Sequence, residues 1–313
     1  MTSTPQAILR IGTRGSPLAL AQAEEARRRL REAHAGLVDA ELEIVVIRTT
    51  GDRIQDRALA EAGGKGLFTK ELEEALFDGR IDLAVHSMKD VPTFLPAGLS
   101  VAAILPREDV RDALIAPGVA AIGALAPGAR VGTASLRRQA QLLHRRPDLQ
   151  VATLRGNVQT RLARLAEGRF DATLLALAGL RRLGLADRAS AVIPTEEMLP
   201  AVAQGAIGLE CREADARTRR LLAPLAHRES EVCVAAERAL LAALDGSCRT
   251  PIAALAEILP DGRLRLRAEI LRPDGSEVVA CERAGPADAG VAMGRDAGDE
   301  LKRRGGAGFF AAT

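Results

Sequence analysis

Ile11-Gly12-Thr13-Arg14-Gly15-Ser16 and Val131-Gly132-Thr133-Ala134-Ser135 are the two stretches that decide the fold, because the second repeats the plan of the first. Each is a short run that gives way to small residues and then leads into a helix. In the first copy Ser16 has the character of an N-cap and Pro17 that of a first helical residue. A helix is expected from there to about His34, with Gly36 closing it.

The echo extends outward. Residues 41–48 read as a second strand, followed by Thr50-Gly51-Asp52; Leu154-Arg155-Gly156-Asn157 follows a second strand in the other copy. A helix is expected over 69–77. Gly79-Arg80-Ile81-Asp82 and Gly168-Arg169-Phe170-Asp171 then each open a third strand, over 81–85 in the first copy. The first copy carries about two dozen extra residues, including Gly63-Gly64-Lys65-Gly66, which follows no strand and fits neither a P-loop nor a dinucleotide fingerprint. Strands alternating with helices predict parallel sheets, and two such halves predict a ligand cleft at the strand carboxyl ends.

The last third differs. A helix is expected over 229–243, strands over 252–259 and 264–270, and a covering helix over 288–303. Leu264 to Ile270 alternates at period two, and Asp261-Gly262 and Pro273-Asp274-Gly275 supply hairpin turns. The expected class is therefore α/β in two domains, with a small C-terminal α+β domain built on an antiparallel sheet.

Bulk composition narrows the function. The chain has 313 residues, 47% apolar and 27% charged, as in an ordinary globular protein. Its 43 basic and 41 acidic residues nearly cancel, so an anion site must come from placement. With no Trp or Tyr and six Phe, the stacking used by single-strand binders is nearly missing, and no nucleic-acid partner is expected. Residues 1–9 have neither a basic n-region nor an apolar h-region, so the expected compartment is the cytoplasm. Residues 172–180 are too short an apolar run for a bilayer, and no membrane partner is expected. Cys211, Cys233, Cys248 and Cys281 show no zinc spacing, and four scattered histidines predict no metal site.

Placement is where the chemistry lies. Arg14, Arg137, Arg138, Arg155 and Arg161 fall at strand ends or in the helices that follow them, in both halves. A guanidinium there opposes the helix dipole, so it needs a reason, such as bidentate recognition of carboxylate or phosphate. Each such bond is worth roughly 1.5–3 kcal/mol, and together they describe a site for a polyanion. Any one of them alone reads equally as a solvated surface charge. Four of the 43 basic residues are lysines, and Lys65, Lys70 and Lys89 fall within 25 residues of one another. Lys89 precedes Asp90 in Val85-His86-Ser87-Met88-Lys89-Asp90-Val91-Pro92. Asp90 can stabilise a developing cation or move a proton, but spacing alone favours an N-cap or an ion pair with Lys89. Cys248 stands in Asp245-Gly246-Ser247-Cys248-Arg249-Thr250-Pro251, a loop where Arg249 would lower its pKa, and it reads as a covalent attachment point.

Taken in order, these segments resemble the porphobilinogen deaminase (hydroxymethylbilane synthase) family. The resemblance runs through residues 13–20, 63–68, 85–92, 132–139, 154–162, 178–184, 199–212 and the Cys248 loop. It implies two domains like type II periplasmic binding proteins, over 1–105 with 200–225 and over 106–199, and a third over 228–313. It also implies a transferase that condenses four porphobilinogen molecules, each losing ammonia, onto a dipyrromethane cofactor joined by a thioether to Cys248. Hydrolysis then releases a linear tetrapyrrole. By the same resemblance Asp90 is catalytic, and Asp90, Lys89, Arg137, Arg138, Ser135 and Thr133 bind the cofactor. Arg14, Ser16, Arg155, Arg161, Arg182 and Phe68 bind the substrate, Phe68 by stacking on a ring. Residues 54–66 would form a lid, and the family state is a monomer. Four positions depart from the pattern: Ser247, Ala253 and Ala203 stand where the family has glycine, and Glu61 where some relatives have lysine, so Glu61 is assigned no ligand role. A two-lobed anion receptor or an effector-binding module would suit the same lobes, but neither explains a cysteine in the third domain's loop.

Overall fold

The structure is a computed structural model that describes residues 9–53, 66–245 and 250–310. In chain order it begins with β1 (Leu9–Arg14), α1 (Pro17–Ala33), β2 (Leu42–Ile47), α2 (Thr50–Arg53), α3 (Lys70–Phe77), β3 (Leu83–Ser87) and β4 (Leu99–Ile104). There follow β5 (Asp112–Ile115), β6 (Arg130–Gly132), α4 (Leu136–Arg145), β7 (Gln150–Ala152), α5 (Val158–Ala166), β8 (Ala172–Ala176), α6 (Leu177–Arg182) and β9 (Ala191–Val192). The chain continues through β10 (Ile207–Arg212), α7 (Ala216–Leu222) and α8 (Arg228–Ala243). It ends with β11 (Ile252–Ile258), β12 (Arg263–Leu271), β13 (Val278–Pro286) and α9 (Gly290–Gly305).

Contacts gather the described residues into two units, one up to Arg107 with Ala206–Glu231, the other over Glu108–Gly205 and from Val232 onward. The first unit holds a five-stranded sheet in the order β2-β1-β3-β10-β4. Both faces are covered, so its central strands are apolar on both sides. Leu83 and Val85 pack under α1 with Ala23, Ala26 and Leu30, while Ala84, between them, faces Leu72 and Leu76 of α3. Pro17 and the Ser16 cap start α1 as expected: the Ser16 hydroxyl accepts from the Ala19 N–H at 3.3 Å.

The second unit repeats the sheet, in the order β7-β6-β8-β5-β9, with its core around Leu114, Val131, Leu142 and Leu174. In one respect both sheets differ from the expected parallel arrangement. β1 lies parallel to β2 and β3, and β6 parallel to β7 and β8, but β10 and β5 run antiparallel to both their neighbours. Each sheet is mixed. The reason is topological: β10 enters the first sheet only after the chain has passed through the second, so its direction is set by a long connection.

The second unit also contains the antiparallel sheet β11-β12-β13, covered by α9. Along β12 Leu264, Leu266, Ala268 and Ile270 are buried while the arginines between them are not, the period-two pattern of a one-sided sheet. This sheet meets α4 at its β12–β13 turn, where the Gln139 amide donates to Pro273 O at 3.2 Å and His144 Nδ1 lies 2.9 Å from Gly275 O.

Candidate functional site

In the first unit the side chains of interest leave the carboxyl ends of β1 and β3. Arg14 is the last residue of β1, and its guanidinium carbon lies 4.1 Å from the centroid of the Phe68 ring. Phe68, expected to stack on a substrate ring, thus carries a cation on its face. β3 runs directly into a single 3₁₀ turn, Met88–Asp90, that carries Lys89 and Asp90, both half-buried. Met88 is the anchor of that turn. Its side chain is buried, its N–H donates to Ala206 O at 3.0 Å, and its carbonyl accepts from Val91 N at 3.2 Å. Behind the turn, His86 Nε2 lies 2.8 Å from Glu210 Oε2, a pair fully enclosed between β3 and β10.

In the second unit the matching turn after β6 opens α4. Ser135 is the N-cap, accepting from Arg138 N at 3.4 Å, and Thr133 Oγ1 accepts from Ser135 N at 3.1 Å. Arg137 and Arg138 lie in the first helical turn and are both buried. The carboxylate they meet is internal: Asp112, the first residue of β5. Arg137 Nη2 donates to its Oδ2 at 2.6 Å and Arg138 Nη2 to its Oδ1 at 2.8 Å. Gln204 Nε2 adds a third bond to Oδ1 at 2.9 Å. Burial works to raise the Asp112 pKa, but the two cations and their hydrogen bonds outweigh it and hold the carboxyl well below the usual range. Burial in turn lowers the pKa of Arg137. Sequence reasoning missed Asp112 altogether. The available signal was an acidic residue at the head of the apolar run Ala113-Leu114-Ile115, a place where a carboxylate needs buried cations.

Arg155 follows β7 and is also buried, with Nη1 lacking a partner. Arg161, on α5, turns its Nε–H back to Gly156 O at 2.8 Å, and Arg182, at the end of α6, donates to Gly205 O at 3.0 Å. Glu269 of β12 is a further buried carboxyl near Arg137 and Arg145; burial pushes its pKa up, against the pull of those cations. Cys248 and residues 54–65, which include Lys65, lie outside the described residues. Among the described residues no group of three His, Cys, Asp or Glu side chains is placed to hold a metal ion, and no helix is long and apolar enough to cross a membrane.

The family follows from comparison of the whole chain. The family model described as porphobilinogen deaminase, dipyromethane cofactor binding domain, matches residues 9–220, and that for the porphobilinogen deaminase C-terminal domain matches 231–303. The chain belongs to the porphobilinogen deaminase family. A porphobilinogen deaminase of Paracoccus denitrificans is 60% identical over 306 residues, covering 98% of this chain and 97% of the relative. A chloroplastic porphobilinogen deaminase of Oryza sativa subsp. japonica is 55% identical over 306 residues, 97% of this chain and 86% of its own length. Among solved structures, the methionine binding protein MetQ aligns with a TM-score of 0.44 at 13% identity, over 69% of this chain and 89% of that one. The porphobilinogen deaminase site takes a dipyrromethane cofactor, whose pyrroles bear carboxylates. The buried donors here suit it: Nε of Arg137, Nε of Arg138 and Nη1 of Arg155 are all enclosed and lack a protein partner.

Proposed function

We propose that this chain condenses four porphobilinogen molecules head to tail, releasing one ammonia at each step, and then frees the linear tetrapyrrole hydroxymethylbilane by hydrolysis. The match of the cofactor-binding domain model over residues 9–220 carries this reading. It makes the protein a transferase of tetrapyrrole biosynthesis, and we take it to act in the cytoplasm as a monomer. The domain assignment that accompanies it is 1–105 with 200–225, 106–199, and 228–313.

Bound through a thioether to Cys248, the dipyrromethane supplies the pyrrole end on which the product grows. Arg137, Arg138, Lys89, Thr133 and Ser135 would hold its carboxylates, through charge-assisted bonds from the two arginines above all. Arg14, Arg155, Arg161 and Arg182 would bind the acetate and propionate groups of incoming porphobilinogen, with Ser16 adding a hydroxyl and Phe68 an apolar wall. Asp90 is the catalytic group in this assignment. Its carboxylate accepts pyrrole N–H groups, offsets the positive charge that develops as ammonia leaves, and assists removal of the ring proton after the new C–C bond forms. The backbone bonds of Met88 tie down the 3₁₀ turn that carries Asp90, which supports this role, since electrostatic assistance is strongest where little reorganisation is needed.

The test is turnover of porphobilinogen, followed by ammonia release, in the wild type and in Asp90→Asn. Loss of about 10²–10⁴-fold in kcat with an unchanged circular dichroism spectrum is expected. Wild-type rates in the variant would remove Asp90 from the mechanism.

A further inference from the structure

We infer that Asp112 is a positioning residue for the cofactor's carboxylates: it holds Arg137 and Arg138 in place and leaves the pair one unit of positive charge to be met by a bound anion. The inference rests on the assignment of those two arginines to the dipyrromethane.

Three observations carry it. The first is the geometry of the pair. Consecutive residues of a helix point about 100° apart, yet the two guanidiniums converge on one carboxylate, each taking a different oxygen at 2.6 and 2.8 Å. Each is also fixed by a backbone carbonyl, Arg137 Nη1 on Leu199 O at 2.6 Å and Arg138 Nη1 on Leu174 O at 2.8 Å. Two anchors per planar fork set its orientation before any ligand arrives.

The second is what remains. Arg137 is 4% exposed and Arg138 5%, and the Nε–H of each has no partner. Buried donors of charged groups are rarely left without one, so these two mark where an acceptor belongs.

The third is charge. Two cations in the first turn of α4 repel each other and oppose the helix dipole. Asp112 offsets one charge. Glu269, the other carboxyl near Arg137, has its Oε1 buried without a hydrogen-bond partner, and burial raises its pKa. Gln204 completes the arrangement by fixing Asp112 itself: its amide bridges Asp112 Oδ1 at 2.9 Å and Val110 O at 2.7 Å.

The experiment is a cycle between Asp112→Asn and Cys248→Ala, the latter being unable to form the thioether. Intact mass gives the loaded fraction after incubation with porphobilinogen, and thermal unfolding is measured for all four proteins. In the wild-type background the loaded protein should melt above Cys248→Ala. With Asp112→Asn that gap should fall by half or more, and loading should slow by about tenfold, the scale on which supporting residues act on the ligand residues they orient. A purely structural Asp112 would lower both melting temperatures equally and leave the gap intact, which would overturn the inference. If Asp112→Asn shows no cooperative transition, Gln204→Met, which changes no charge, goes through the same cycle: a narrowed gap supports the inference and an unchanged gap overturns it. A wild type that never gains mass at Cys248 would overturn the functional reading itself, and this inference with it.

Discussion

The guanidinium carbon of Arg14 sits 4.1 Å from the centroid of the Phe68 ring. The contact depends on Gly51, where a Cβ would fall 2.3 Å from the ring edge. A cation–π contact of this kind contributes about 0.5–2 kcal/mol. Phe68→Leu should therefore lower kcat/KM for porphobilinogen roughly two- to thirtyfold, with most of the change in KM, while Phe68→Tyr stays near wild type. Steady-state kinetics on both variants check this; an unaltered KM in Phe68→Leu would mean that Arg14 needs no support from the ring.

Gly208 faces Met88 across the β3–β10 pair. A Cβ there would lie 2.1 Å from Met88 Sδ, in the middle of the side chain that anchors the Asp90 turn. Gly208→Ala must displace Met88, at a cost of about 1–3 kcal/mol in stability. Because Asp90 lies two residues further along, kcat should fall by about tenfold or more. A variant that melts earlier yet turns over at the wild-type rate would show that the turn tolerates the shift.

Ala203 adopts φ +58° and is fully buried. An L-residue in the left-handed region costs roughly 1–2 kcal/mol, and the conformation is held in part because the Ala203 N–H donates to Glu237 Oε2 at 2.6 Å. Ala203→Gly, which removes the Cβ from the left-handed position, should stabilise the protein by about 1 kcal/mol and raise Tm by about 2 °C. Calorimetry decides, and a lower Tm would count against the strain.

Much of the architecture is legible in residues 11–17 and 131–135, because caps and apolar alternation are local. Ser16 and Pro17 alone place the start of α1. The directions of β5 and β10 are not legible. They are set by which sheet the chain enters after β4 and returns to after β9, and no neighbouring residue records that. The partners of Asp112 are not legible either. The apolar run after it hints at a buried carboxylate, but the groups that meet it stand 25, 26 and 92 positions away, and nothing beside it in the chain names them. The arginines of α4 were visible as out of place at a helix N-terminus, but the anion that explains part of their placement came only with the fold.

The alkaline limb of stability should belong to two thiols. Burial pushes Cys211 and Cys281 up to about 11. Unfolded thiols titrate near 8.5, so between these values the native state holds protons that the unfolded chain releases. The sign is therefore destabilising: stability falls as pH rises from about 8.5 to about 11. The chain has no tyrosine and four lysines, which leaves few other groups to titrate in that window. Urea midpoints measured across it should drop more steeply in the wild type than in Cys211→Ala/Cys281→Ala. Equal slopes would place the effect elsewhere.

The most direct measurement is the intact mass of the purified protein, followed by peptide mapping of Cys248. An added mass equal to two linked porphobilinogen-derived rings, located on Cys248 and present after incubation with porphobilinogen if not before, is the predicted result. A protein that remains at its unmodified mass after that incubation would contradict the account.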